Sequence, residues 1–240
     1  MSSQYLEIRE LAAWGFDHPV DRGLLGEEEL RRAACHAQSR LAARMPYPTD
    51  PPISVEETRK LAGVLADRKD AVASSGEFDG LAWELAVADL RKLIAFQRRI
   101  GFAYCDGHPI QQETEPQQLI DRSLPLHAIS KSPYMEVASY CGRWFLRDGY
   151  HRSFRFLNEG VHMVPCVIVY AESLAQMGAV GSRFFSQAVL FSAQPPMVTD
   201  FLDEQTTVRY RRALPEQVVS FPNQQLQQPV TAVCCQQEVL

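Results

Sequence analysis

The chain has 240 residues, 46% of them hydrophobic, and 24 basic residues against 29 acidic ones give a net charge of −5. This allows one large domain or two smaller ones with an ample core, and it argues against indiscriminate nucleic-acid binding, since no whole-chain positive field exists. The six cysteines form no CxxC pair, and we expect reduced thiols, with the pair Cys234-Cys235 exposed to oxidation. Neither a signal-peptide pattern nor an 18-residue apolar run is present, which predicts a cytoplasmic protein without a membrane segment.

Three helices are predicted in the first part of the chain. Residues 26–45 have acidic residues in the first turn and basic residues later, which suits the helix dipole. Ser54 and Glu57 have the spacing of a capping box for a helix that runs to about residue 74. Over 81–100, apolar residues recur at near-helical spacing, which predicts a third helix.

The sequence changes character at residue 101, where short apolar runs alternate with prolines and turns. We predict strands in YMEVASY, GRWFLRDG, VPCVIVYA and QVVSFP, and helices at 115–122, 151–160 and about 182–192. The predicted fold class is therefore mixed α/β. A mainly helical region over 1–100 precedes a mixed-sheet α/β domain over 101–225, and a Gln-rich tail with little periodicity covers 226–240.

The turn between the strand in GRWFLRDG and the helix at 151–160 is the candidate site. A helix that follows Asp148-Gly149 at once directs its first backbone N–H groups, which lack intrahelical partners, into the turn. Gly149 permits a positive φ or a close approach, Arg152 offers a planar fork of donors to phosphate or carboxylate oxygens, and His151 adds a donor or base. This pattern predicts an anion site.

A purely structural turn is the alternative interpretation. Asp148 would then cap the helix, and Arg152 would pair with Asp148 or with Glu159. We also expect ion-paired or solvated roles for the neighbouring arginines, which are Arg143, Arg147 and Arg155.

The motif LRDGYHRSFRFLNEG followed by VHMVPCVIV, with SPYMEVASYCGRWFL upstream, resembles the ParB/sulfiredoxin-like superfamily over about residues 132–171. The shared pattern is a strand ending in DGxxR or GxxR, a helix with a terminal glycine, here Gly160, and a strand entered through Val-Pro. The resemblance implies a compact α/β domain that holds nucleotide phosphates around the turn. The implied binding residues are Gly149, Tyr150, His151, Arg152 and Ser153.

The resemblance also implies a nucleoside triphosphate with Mg²⁺ as the bound group. In an enzyme, the reaction would be phosphoryl transfer or nucleotide hydrolysis, with His151 or Asp148 as catalytic candidates. Small-molecule kinases of the superfamily use a carboxylate base near the phosphate site, but no spacing here selects one. The candidates are Asp148, Glu136, Asp200, Asp203 and Glu204.

Two departures from the superfamily pattern limit the function. Tyr150 stands where sulfiredoxins carry a cysteine, so the thiol nucleophile is missing and we do not expect reductase activity. His151 stands where chromosome-partitioning ParB proteins have an arginine, and we find neither their ENxxR-like box nor a recognition helix downstream.

The sequence gives weaker evidence for metal or nucleic-acid binding than for an anion site. The histidines form neither HxH nor HExxH, and the cluster CDGH at 105–108 is more typical of a structural turn. We therefore predict no metal site, and the sequence shows no pattern for haem, flavin or zinc. RYRRALPEQ at 209–217 is a local basic patch that favours a solvated face over DNA contact. The expected partner is a nucleotide or another phosphorylated small molecule. The alternative is a non-enzymatic DNA-associated, regulatory or assembly protein, with the helical region as a homo-oligomer interface.

Overall fold

The computed structural model describes residues 4–16, 24–78, 80–105, 108–110, 134–178 and 184–213, which form a mixed α/β structure with two sheets. Several predictions lie outside these residues. They are the strand QVVSFP, the helix at 115–122, the centre of CDGH, and the tail over 226–240 with Cys234 and Cys235.

Nine strands and five α-helices occur in the described ranges. Strands β1 to β9 are Gln4–Leu11, Ala82–Asp89, Ile94–Ala95, Arg99–Cys105, His108–Ile110, Met135–Tyr140, Arg143–Asp148, Met163–Tyr170 and Thr207–Ala213. Helices α1 to α5 are Glu27–Ala42, Val55–Lys60, Ala62–Ser74, Tyr150–Asn158 and Gln187–Leu190. Short 3₁₀ helices cover Ala12–Trp14, Leu90–Lys92 and Val198–Leu202. None of the helices in this part of the chain is long and apolar enough to cross a membrane.

The first sheet is antiparallel with the order β5-β4-β1-β9. The second sheet has the order β2-β8-β6-β7-β3 and is mixed, because β6 runs parallel to β8 and β3 runs parallel to β7. Both sheets join strands from either side of residue 100, where the sequence placed the boundary between its two regions.

The second sheet carries the main core, and each of its faces is covered. The interior strand β8 is buried from Cys166 to Val169, because it lies between β2 and β6 and is packed from both sides. Helix α4 packs on one face beside Met135 and Cys166, whereas Phe78 and Val72 pack on the other face against Val167. A separate cluster joins α1 to the first sheet.

The first two predicted helical segments are confirmed. Helix α1 begins with three glutamates in its first turn, as the dipole argument requires. The Ser54 side chain accepts a hydrogen bond from the backbone N–H of Glu57 at 3.2 Å, which is one half of the predicted capping box. The other half is not formed, because the Ser54 backbone N–H donates to Val87 O at 2.9 Å and the Glu57 side chain binds Lys60. The segment to Ser74 is two helices rather than one, since the chain departs from helical geometry at Leu61.

The predicted third helix over 81–100 is wrong. This stretch forms β2, a 3₁₀ turn, β3 and the start of β4. The apolar residues of this stretch fit the alternation of a strand as well as they fit the period of a helix. Leu81, Trp83 and Leu85 pack on one face of the second sheet, and Ala86 and Ala88 pack on the other. Antiparallel pairing with β8 over eight residues decides between the two periodicities, and that partner lies about 80 residues away in sequence.

The predictions around the candidate turn are confirmed. YMEVASY, GRWFLRDG and VPCVIVYA form β6, β7 and β8, and the helix predicted at 151–160 is α4. Gly160 ends α4 with φ +78°, and the backbone N–H of Val161 donates to Phe156 O at 2.8 Å, which closes the helix end. The helix predicted at 182–192 is shorter, covering only Gln187–Leu190, and RYRRALPEQ lies partly in β9.

Candidate functional site

Gly149 alone connects β7 to α4 and occupies the N-cap position. Its φ of +96° lies in the left-handed region, which only glycine adopts without strain. A Cβ added there would lie 2.5 Å from Met135 Cγ and 3.3 Å from Arg152 Nη2. No described side chain caps α4 through a hydrogen bond, so the Asp148 cap of the alternative interpretation is not formed.

Arg152 lies across this turn. Its Nη2 donates to Tyr134 O at 3.2 Å, just before β6, and lies 3.7 Å from Asp148 Oδ2. The side chains of Arg152 and Asp148 are 39% and 27% exposed, so this long ion pair is screened by water. The alternative interpretation gave Arg152 two possible partners, Asp148 and Glu159, and the structure forms the pair with Asp148. Glu159 binds Arg155 instead, at 3.0 Å.

His151 points toward the first sheet. Its Nε2 lies 2.5 Å from Gly101 O, and its ring meets the Phe102 ring nearly at right angles with centroids 5.1 Å apart. A backbone carbonyl only accepts, so Nε2 carries the proton in this contact. His151 therefore ties α4 to β4 in addition to any role at the turn.

The side chains of Tyr150 and Ser153 are buried and hold α4 in place. The Tyr150 hydroxyl accepts hydrogen bonds from the backbone N–H groups of Phe96 and Gln97 at 2.9 and 3.2 Å, and burial raises the pKa of Tyr150. Ser153 Oγ lies 3.0 Å from Gly149 O and 3.0 Å from Met135 Sδ. Tyr150 is the first residue of α4, and both side chains face the core rather than the turn.

Glu136 and Asp148 lie opposite each other on β6 and β7, next to a β-bulge. Glu136 is only 5% exposed, and Arg147 Nη1 donates to its Oε2 at 2.9 Å. Burial raises the pKa of Glu136 to about 7, Arg147 opposes that rise, and the negative charges of Glu77 and Asp148 add to it. Two of the five candidate carboxylates therefore lie at the same end of the sheet as Arg152.

The other three candidate carboxylates are engaged in ion pairs and hydrogen bonds of their own. Asp200 accepts from the backbone N–H of Met197 at 2.8 Å and from Arg44 Nη1 at 2.5 Å, and burial raises the pKa of Asp200. Asp203 binds Arg40, and Glu204 binds Arg9 and Arg209. These contacts are structural, and the 3₁₀ helix that carries Asp200 itself packs against α4, with the Phe201 ring 6.0 Å from the Tyr150 ring.

Two groups near the turn were not identified from the sequence. The Tyr134 carbonyl, which accepts from Arg152, is a backbone atom and leaves no sequence signal. Glu77 lies in the break after α3, and only the folded chain brings it to Glu136. Neither contact can be predicted from a local sequence pattern.

The basic stretch in β9 is occupied by internal contacts. Arg209 pairs with Glu204 and lies 3.7 Å from Glu7, and the Arg211 guanidinium stacks on Tyr5 with 4.8 Å to the ring centroid. Within the described ranges, no three histidine, cysteine, aspartate or glutamate side chains are grouped to hold a metal ion. The nucleoside triphosphate and Mg²⁺ stay a prediction.

No protein-family model matches the chain, and no match was found among curated proteins or solved structures. The fold and the turn define a mixed α/β protein with two sheets and a glycine-capped strand-to-helix turn. The resemblance to the ParB/sulfiredoxin-like superfamily stays a prediction from the motif.

Proposed function

We propose that this protein binds the phosphate of a nucleotide, or of another phosphorylated small molecule, at the turn between β7 and α4. The observation that carries the proposal is the helix start capped by Gly149 with the half-exposed Arg152 guanidinium lying across it. The N-terminus of a helix has a partial positive charge and outward N–H groups, and both favour an anion.

Arg152 is the side chain that would clamp the anion. Its ion pair with Asp148 is long and partly exposed, so breaking it costs little. A phosphate can accept two parallel hydrogen bonds from a guanidinium, which is a stronger contact than the one it replaces. The missing Cβ at Gly149 makes room for the Met135 side chain and permits the left-handed turn into α4, while buried Tyr150 and Ser153 fix the helix that supplies the donors.

A phosphotransferase or nucleotide hydrolase is the enzymatic form of this proposal. Asp148 is the carboxylate that we assign as proton acceptor, because it lies beside Arg152 and is partly open to solvent. Glu136 is less suited to this role because it is buried and bound to Arg147. His151 would act by holding the start of α4, through its contact with Gly101.

A thermal-shift screen tests binding. The probes are ATP, CTP, GTP, ADP and inorganic phosphate, each with and without magnesium, against the wild-type chain, Arg152→Ala and Arg155→Ala. Arg155 is the matched control, since it lies on the same helix with a side chain 74% exposed and pairs with Glu159. A ligand at 100 times its Kd should stabilise the wild-type fold by about 2.7 kcal/mol.

The proposal predicts a shift in wild type and in Arg155→Ala that is lost in Arg152→Ala. An equal shift in all three proteins would place the ligand elsewhere, and no shift with any probe would contradict phosphate binding. Product analysis with the ligand that binds then separates an enzyme, which consumes it, from a regulator, which binds it unchanged.

A further inference from the structure

The end of β7 carries two arginine–carboxylate pairs that differ in strength. Arg147 Nη1 lies 2.9 Å from Glu136 Oε2, and the side chain of Glu136 is only 6% exposed. Arg152 Nη2 lies 3.7 Å from Asp148 Oδ2, and these two side chains are 39% and 27% exposed. The first pair is short and buried, and the second is long and open to water. Arg147 is therefore fixed, whereas Arg152 can exchange its partner at little cost.

Asp148 stays beside the turn whatever Arg152 binds. It is the last residue of β7, it lies opposite Glu136 in the antiparallel pair with β6, and Gly149 follows it at once. The strand pairing fixes its backbone, and its short side chain keeps the carboxylate close to the start of α4. The Asp148 carboxylate thus shares this space with any anion that binds there.

One negative charge therefore opposes an anion at the turn in two ways. A phosphate that binds Arg152 competes with the Asp148 carboxylate for Nη2, since oxygens of both groups accept hydrogen bonds from it. The displaced carboxylate then faces the phosphate as a like charge. The Tyr134 carbonyl, 3.2 Å from the same Nη2, carries no net charge and adds no comparable repulsion.

We propose that Asp148 is an internal competitor that occupies Arg152 in the free protein and lowers the affinity of the turn for phosphate. The competitor rests on the anion site of the proposed function, and it restrains binding at that site. Because Asp148 is also the assigned proton acceptor, binding rather than turnover is the quantity to measure.

The test is a ¹⁵N NMR titration of the whole chain with inorganic phosphate, in which the shift of the Gly149 amide gives the Kd. Wild type is compared with Asp148→Asn, which keeps the size of the side chain and removes its charge at a partly exposed position. We expect the Kd of Asp148→Asn to be lower by about threefold to tenfold, because a weak ion pair and a like-charge repulsion are both removed.

Glu159→Gln is the matched control. Glu159 also pairs with an arginine four residues away in the chain, Arg155 at 3.0 Å, but this pair lies at the other end of α4. Its charge is screened from the turn by solvent, so the Kd of Glu159→Gln should stay within about twofold of that of wild type.

The guanidinium signals of the two arginines give a second readout without any ligand. The Arg152 Nε signal should move in Asp148→Asn and stay in place in Glu159→Gln, and the Arg155 Nε signal should do the reverse.

A Kd in Asp148→Asn that equals or exceeds that of wild type overturns the competitor and leaves the proposed phosphate site standing. An Arg152 signal that does not move in Asp148→Asn overturns the competitor as well, since the contact is then absent in solution. Phosphate that binds none of the three proteins contradicts the proposed function itself, and the competitor with it.

Discussion

The two sides of β6 show two ways of building a polar site. On the side of Met135, residues 148–153 are contiguous, and they form a glycine-capped helix start with an arginine across it. On the side of Glu136, the buried carboxylate binds Arg147 of the neighbouring strand, and the charge of Glu77, from a distant part of the sequence, also acts on it. The first arrangement depends on local backbone geometry, whereas the second depends on how the whole sheet is assembled.

Gly149→Ala should have the largest effect on stability. The new Cβ would lie 2.5 Å from Met135 Cγ at a φ of +96°, and we expect a loss of about 3 kcal/mol from left-handed strain and overpacking together. Urea denaturation measures it. The control is Gly142→Ala, where φ is +72° but a Cβ would meet nothing within 4 Å, so the loss should be about 1 kcal/mol. Equal losses would mean that close packing at Gly149 is unimportant.

Glu136→Gln should change the pH dependence of stability. The pKa of Glu136 in the folded protein is raised from 4.5 to about 7, so its contribution is fully present below pH 4.5 and is lost as pH rises through 7. The free energy of unfolding of the wild-type chain should therefore fall relative to that of Glu136→Gln over this window, by on the order of 2 kcal/mol. Denaturation at pH 4.5 and pH 8 provides the comparison, and parallel curves would contradict the raised pKa.

Tyr150→Phe should destabilise the fold by about 1–2 kcal/mol, because the backbone N–H groups of Phe96 and Gln97 lose a buried acceptor. Tyr170→Phe is the matched control, since its hydroxyl binds Glu84 at the surface and the change should stay within about 0.5 kcal/mol. Thermal denaturation of the two variants measures the difference. A small effect at Tyr150 would mean that α4 does not rely on this anchor.

Arg152→Ala should have the smallest effect on stability, about 1 kcal/mol or less, because its ion pair is long and partly exposed and Tyr134 O is the carbonyl to which it donates. Arg143→Ala should cost more, about 1–3 kcal/mol, since that guanidinium donates to the carbonyls of Leu190, Phe191 and Ser192. Chemical denaturation without ligand compares them. A large loss at Arg152 would indicate a structural arginine and weaken the proposed binding role.

The sequence predicted those parts of the fold that depend on neighbouring residues. The Ser54 cap, the Gly160 stop and the strand-turn-helix around Gly149 follow from local chemistry, and the structure confirms each of them. The stretch over 81–100 was assigned wrongly because its apolar residues fit both periods, and only pairing with β8 makes it a strand.

The candidate site was predicted in part for the same reason. Asp148, Gly149 and Arg152 lie together because they are close in sequence. The orientation of His151 toward Gly101 and the burial of Tyr150 against Phe96 depend on β3 and β4, in a segment whose strands the sequence did not predict. Side-chain roles at a turn are therefore decided by the sheet behind it as much as by the motif.

The most direct test of the proposed function is a ¹⁵N NMR titration of the assigned chain with ATP and magnesium, repeated with inorganic phosphate. Phosphate binding at the turn predicts saturable shifts of the backbone amides of Gly149, Tyr150, His151 and Arg152, with the same Kd and with little change in the amides of α1. Amides at this turn that stay unchanged up to millimolar ligand would contradict the proposed site.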